Sequence, residues 1–216
     1  MQFFNDLKAI KLKTVLNRTE SEFKTKGSRF IGCLSPVSDQ AEADGWISYI
    51  RKEHPKATHH CHAWIINPQN PKEHSSDDGE PSGTAGLPIL NSLKSYSVLN
   101  VCLVVVRYYG GTKLGKSGLI DAYGKSAELA IESASLHELI LMRIFEVDYA
   151  YDQQSRIDQL KHHWNWAELN ARYQDTVSLQ IGVPIESAGA FRKILSDLSH
   201  YFERVDEQGT TVTTRK

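Results

Sequence analysis

The chain has 216 residues, 40% of them apolar, and a formal net charge of −1. That length holds one large or two modest cores, and the near-neutral charge excludes a polycation that gathers nucleic acid or membrane over its whole surface. Splitting the chain after residue 137 leaves +2 on the first part and −3 on the second, so any basic site must be local.

In chain order, residues 12–18 and 20–25 read as short strands with polar alternation, and 29–34 as a more buried strand ending at Pro36. Asp39 is placed to cap a helix, with Glu42 three residues on in the manner of a capping box. Ala43, Trp46, Ile47 and Ile50 fall on one helical face, and Pro55 predicts a stop at His54. Residues 59–66 (HHCHAWII) alternate as a strand does, and 67–86 read as a loop rich in Asn, Pro, Ser, Asp and Gly. A helix is predicted over 84–95, a doubly covered central strand over 98–108, and a further helix from the glycine-rich loop to about residue 136.

The remainder predicts strand 139–149, helix 153–164 capped by Asp152, strands 167–173 and 175–183, helix 186–200 and strand 203–213. That order, βαββαβ, is the ferredoxin-like split βαβ unit. The expected architecture is α+β in two domains, 1–137 and 138–216, the first of βαβ type. Cys33, Cys61 and Cys102 lie far apart with no C-x-x-C, as buried free thiols of a reducing compartment do. The N-terminus lacks a signal-peptide core, and no apolar run approaches the roughly 20 residues of a membrane span. A cytoplasmic location without membrane contact is expected.

Three polar clusters mark the ends of the apolar elements. In Thr58-His59-His60-Cys61-His62, strand alternation puts His60 and His62 on one face and His59 and Cys61 on the other. Two imidazoles at that spacing bind a metal if a carboxylate arrives from elsewhere, and otherwise hydrogen-bond the sheet edge. The second cluster, residues 75–86, carries Asp77, Asp78 and Glu80. Those carboxylates can hold a divalent cation, pin their own turn, or pair with Arg29, Arg107 or the histidines, and the small residues 83–86 can offer amides to an anion.

The third cluster is Arg107-Tyr108-Tyr109-Gly110-Gly111-Thr112-Lys113 through Lys116-Ser117. Gly110, Gly115, Lys116 and Ser117 fit the letters of a phosphate-binding loop. That motif ordinarily follows the first strand of a parallel sheet and needs a partner aspartate, and neither is evident here. The alternatives are a loop whose Arg, Lys and Tyr side chains meet RNA backbone and bases, or a glycine turn with solvated lysines.

The segments SRFIG (28–32), HHCHAW (59–64), SDDGEPSGTAG (76–86) and VVVRYYGGTKLGKSGLIDAY (104–123) resemble the IMPACT/YigZ family, its bacterial branch in particular. The resemblance covers about residues 15–136, and the βαββαβ tail suits the second domain of bacterial members. It implies a first domain similar in fold to domain IV of elongation factor G and a second like its domain V. It also implies translational control: eukaryotic members restrain the amino-acid-starvation kinase by competing for its activator, and a nucleic-acid or ribosome-binding role is inferred for bacterial ones. The family frame, roughly YYGG-x-x-LG-x-GGL, requires neither Lys116 nor Ser117, so the phosphate-loop match is a coincidence of letters.

The expected function is therefore that of a regulatory factor of translation binding RNA or the ribosome through its first domain. The expected contact residues are Arg29, His60, His62, Asp77, Asp78, Glu80, Arg107, Tyr108, Tyr109, Lys113 and Lys116. One alternative is a hydrolase or phosphotransferase built on His60, His62, Asp77 and Asp78, with or without a metal, and another is a module that sequesters a protein regulator. No nucleophile has an adjacent base, so no catalytic residue is assigned, and no cofactor or resident metal is expected.

Overall fold

The structure is a computed structural model describing residues 11–164 and 166–214. It is α+β with two sheets, and the chain divides into two compact units, one up to Leu139 and one from Ile140. The strand β7 (Leu136–Tyr149) runs across that division. Its residues 136–138 pair with β1 (Lys13–Val15), and those from Met142 pair with β9 (Val177–Pro184).

The first unit is a three-layer sandwich. Its sheet has the order β2 (Thr19–Thr25), β3 (Ser28–Pro36), β6 (Val101–Tyr108), β4 (His59–Ile66), β5 (Lys72–Ser76), with every neighbouring pair antiparallel. One face packs on α1 (Gln40–Glu53), the other on α2 (Gly86–Ser95) and α3 (Gly115–Glu132).

The central strand β6 shows why both faces must be covered. Leu103 and Val105 join the core under α2 and α3, while Cys102, Val104 and Val106 join the core under α1. Continuous burial is commoner in parallel sheets; here helices on both sides impose it on an antiparallel one. On β3, Gly32 lets α3 approach so closely that a Cβ would stand 2.8 Å from the Ser126 carbonyl oxygen.

The helix α1 starts as its sequence dictates: the Asp39 carboxylate accepts from the Glu42 amide at 2.9 Å. Glu42 in turn accepts from the amide and hydroxyl of Ser38, one residue upstream of the reciprocal bond in a standard capping box. It ends at His54, and Ala43, Trp46, Ile47 and Ile50 are its buried face.

Several expectations are corrected. The stretch 67–86 is not all loop, because Lys72–Ser76 forms the edge strand β5. Its KEHSS sequence has no apolar alternation, since an edge strand with exposed side chains needs none. The helix α3 ends at Glu132 rather than near 136, and β7 begins three residues earlier than expected. Asp152 lies within a 3-10 turn, Tyr151–Gln153, rather than capping α4 (Gln154–Trp164).

In the second unit, β10 (Arg204–Thr214) pairs β7, followed by β9 and β8 (Ala167–Tyr173). That is the ferredoxin-like order 4-1-3-2. Helix α5 is Ile185–Asp197. Phe145, Phe191, Ile181 and Val183 fill the core, and the buried Glu146 is held by Arg172 at 3.0 Å and by Gln208. Among the described residues, no helix is long and apolar enough to cross a membrane.

Candidate nucleic-acid or partner interface

Antiparallel pairing brings the start of β3, the start of β4, the end of β5 and the end of β6 to one end of the first sheet. Arg29 lies opposite Tyr108, His59 opposite Arg107 and His62 opposite Ser76. Loop 109–114, turn 77–83, Thr58 and the hairpin turn of Lys26 and Gly27 therefore stand together there.

Two glycines on this end are demanded by sterics. A Cβ on Gly110 would lie 1.9 Å from the Gly27 carbonyl carbon and 2.3 Å from the Ser28 nitrogen. The loop is thus keyed into the β2–β3 hairpin, whose turn has left-handed φ at Lys26 (44°) and Gly27 (79°). The Ser28 hydroxyl accepts from the Gly110 amide at 3.2 Å, and the Thr58 hydroxyl from the Tyr109 amide at 3.1 Å. Gly110 is a docking residue, not a phosphate cradle. Because β6 is antiparallel to both neighbours, the parallel frame of a phosphate-binding loop is missing.

Alternation along the strands splits the expected contact residues into three groups. Facing α2 and α3 are Arg107, Glu80 and Asp77. Arg107 is only 5% exposed, which corrects its expected role as a contact residue and suits the alternative of a partner for the acidic turn: residue 107 shares its face with Val105 and Leu103. Its Nη1 donates to Glu80 Oε1 at 2.5 Å, and Tyr123 Oη donates to the same oxygen at 2.8 Å. Burial pushes the Tyr123 hydroxyl far above its ordinary value, so it stays a donor. The guanidinium carbon lies 5.4 Å from the ring centres of both Phe30 and Tyr109. Its Nε has no hydrogen-bond partner among the described residues, so the two rings supply part of the charge's stabilisation.

Asp77 is built into the fold as well. Its two carboxylate oxygens accept from the amides of Gly83, Ala85 and Gly86 at 2.8–3.0 Å, closing the start of α2. Burial raises this carboxyl, but the three amides outweigh it and leave it below its usual range. The amides 83–86 that were candidates for an external anion are thereby occupied from within.

Facing α1 are Arg29, Tyr108, His60, His62 and Asp78. Tyr108 shares a 3.0 Å hydrogen bond with His54 Nδ1, and the Arg29 guanidinium lies 4.8 Å from the Tyr108 ring centre. Asp78 accepts from the His60 amide at 2.6 Å and from Arg51. Burial raises its carboxyl too, yet these partners hold it below its usual range. The left-handed φ of Asp78 (43°) and Gly79 (88°) makes turn 77–80 the I′ type, closed by the Glu80 amide on the Asp77 carbonyl.

His60 and His62 are both buried, and burial lowers their basicity. His60 Nε2 donates to the His54 carbonyl and His62 Nδ1 to the His60 carbonyl, each at 3.1 Å, which fixes both tautomers. Asp77 lies across the sheet from them, so the His60/His62/Asp77/Asp78 set is not assembled as a unit. Among the described residues, no three His, Cys, Asp or Glu side chains group as metal ligands.

The third group, Tyr109, Lys113 and Lys116, is exposed on the rim, with Tyr109 46% exposed. Lys26 joins it from the hairpin turn. Among the described residues, none of Lys26, Lys113 and Lys116 has an ion-pair partner. Sequence reading overlooked Tyr123, Ser28, Arg51 and Lys26. Tyr123 lay hidden in the apolar stripe of α3; Lys26-Gly27 between two alternating runs is a hairpin signal.

Residues 26–131 match the Impact N-terminal domain. IMPACT family member YvyE from Bacillus subtilis (strain 168) is 37% identical over 187 residues, 87% of this chain and 86% of the relative. YigZ from Escherichia coli (strain K12) is 35% identical over 176 residues, 81% of this chain and 86% of the relative. A solved structure described as that of a hypothetical protein superposes with a TM-score of 0.65 at 30% identity, over 92% of this chain and 97% of that one. A chain matching such relatives over most of both lengths, and carrying the domain that names them, belongs to the IMPACT family.

Proposed function

We propose that this protein is a cytoplasmic regulatory factor of translation that binds RNA or the ribosome through the rim of its first unit. Family membership supports the translational setting expected from the sequence. The observation that carries the binding reading is the imbalance of available charge at the sheet end. All three carboxylates of the acidic turn are engaged, Asp77 by amides, Asp78 by Arg51 and the His60 amide, Glu80 by Arg107 and Tyr123. The lysines at positions 26, 113 and 116 are exposed and face no carboxylate among the described residues. A nearly neutral chain thus presents a locally cationic rim, suited to a polyanionic backbone. Arg107 and Glu80 serve as its foundation, not as contacts.

The test is co-sedimentation with ribosomes at about 50 and about 200 mM salt, comparing the wild type with Lys113→Gln/Lys116→Gln. The expected result is wild-type association that weakens with salt and is markedly reduced in the variant. Equal association of both proteins at both salt concentrations overturns the reading.

A further inference from the structure

The role of Arg107 changes what its neighbour can do. Tyr109 follows the last residue of β6 on the side of Arg107, while Tyr108 hydrogen-bonds His54 on the side of α1. The backbone at Tyr109 is fixed on both sides: Thr58 accepts its amide, and Gly110 is locked against Gly27 and Ser28. Beneath the ring lies the Arg107 guanidinium, itself held by Glu80. Among the described residues no other ring stacks on Tyr109, and 46% of the residue remains exposed. A tyrosine with a buried cation against its ring, nearly half exposed and on the same rim as lysines without ion-pair partners has the make-up of a base-stacking platform.

We propose that Tyr109 stacks a nucleobase of single-stranded RNA whose backbone runs over Lys113, Lys116 and Lys26. The choice of RNA rests on the reading above; the choice of a single strand rests on the platform. In a duplex, bases are stacked on one another and offer no free face to a side chain, whereas an unpaired base does. The buried Glu80–Arg107 pair acts as a positioning element: it orients the ring without touching RNA.

The experiment measures binding of an unstructured RNA of about 12 nucleotides, a length within the site sizes of single-strand binders, by fluorescence anisotropy. The same-sequence DNA and an RNA duplex of equal length are run alongside. Wild type, Tyr109→Ala, Tyr109→Phe and Lys113→Gln/Lys116→Gln are compared over a salt series. The expected result is preference for the single-stranded RNA over both competitors. Tyr109→Ala should weaken it by about 5-fold or more, the lower end for loss of one stacked base, without changing the salt slope, and Tyr109→Phe should bind as wild type. The double lysine variant should lower the slope.

If Tyr109→Ala binds as wild type, or the duplex or the DNA binds equally well, the stacking inference fails while the lysine rim stands. If neither RNA nor ribosomes bind at all, the functional reading itself fails. A urea midpoint for Tyr109→Ala close to that of the wild type shows that any loss is not unfolding.

Discussion

Turn 77–83 and the stretch 109–116, the loop and the first residues of α3, sit at the same end of one sheet, both rich in glycine and both conspicuously charged in sequence, yet they use that charge in opposite ways. The turn engages its carboxylates within the fold, on the amides leading into α2, on the surface Arg51 and on the buried Arg107. The loop directs its lysines outward and keeps a tyrosine at its base. Charge written in a sequence is therefore not charge available to a partner. Available charge depends on whether the fold brings an opposite group or a row of amides within reach.

The comparison breaks most sharply at Glu80. Glu80→Ala leaves Arg107 as an uncompensated buried cation and should cost about 3–5 kcal/mol, read as a fall in the urea midpoint. Replacing any of the rim lysines should leave that midpoint almost unmoved. A loss under about 1 kcal/mol for Glu80→Ala would mean the pair is not buried as described.

Next come the two supports of the end. Asp77→Ala strips three amides of their acceptor and should cost about 2 kcal/mol, with Asp77→Asn recovering part of it. Gly110→Ala forces backbone apart at the hairpin contact and should cost about 1–3 kcal/mol; a neutral result would show that loop and hairpin are not keyed together.

Acid sharpens the comparison in a third way. The folded state holds His60 and His62 neutral because burial lowers their basicity, while in the unfolded chain they titrate near about pH 6.5. Unfolded chains then bind more protons, so stability is whole above about pH 6.5 and falls as the pH drops below it. Asp77 and Asp78, also depressed, hold their contributions until the pH falls below about 3.9. Urea midpoints at about pH 7.5 and about pH 5.5 should show a loss that His62→Gln reduces; an unchanged loss would assign it elsewhere. The smallest stability effect is expected for Lys113→Gln and Lys116→Gln, within about 0.5 kcal/mol, although each should lower the salt slope of RNA binding by about 0.7.

Elements with strong periodicity are legible in the sequence. The α1 face, the central β6 and the order of the second unit all follow from spacing and caps, because burial there is enforced every second or every third to fourth residue. The edge strand β5 was not legible, because KEHSS has no face to bury. The candidate site was half legible. Asp77, Glu80, Arg107 and Tyr109 were singled out by type, but which of them face inward depends on the parity of residue 107 within β6 and on an α3 tyrosine 43 positions from Glu80. Long-range pairing of that kind leaves no local mark. The same parity separated His60 and His62 from Asp77, which sequence proximity had grouped.

The central claim, that the acidic turn builds the end of the sheet while the lysine loop does the reaching, is tested most directly by a paired measurement. Asp77→Asn and Lys113→Gln each change the charge by one unit at the same end of the molecule. Urea stability and ribosome retention, the latter normalised to folded protein, should be measured for both. The account predicts that Asp77→Asn loses stability and keeps its retention, whereas Lys113→Gln keeps its stability and loses retention. The opposite pattern, a stable Asp77→Asn that fails to bind beside a Lys113→Gln that binds as wild type, would contradict it.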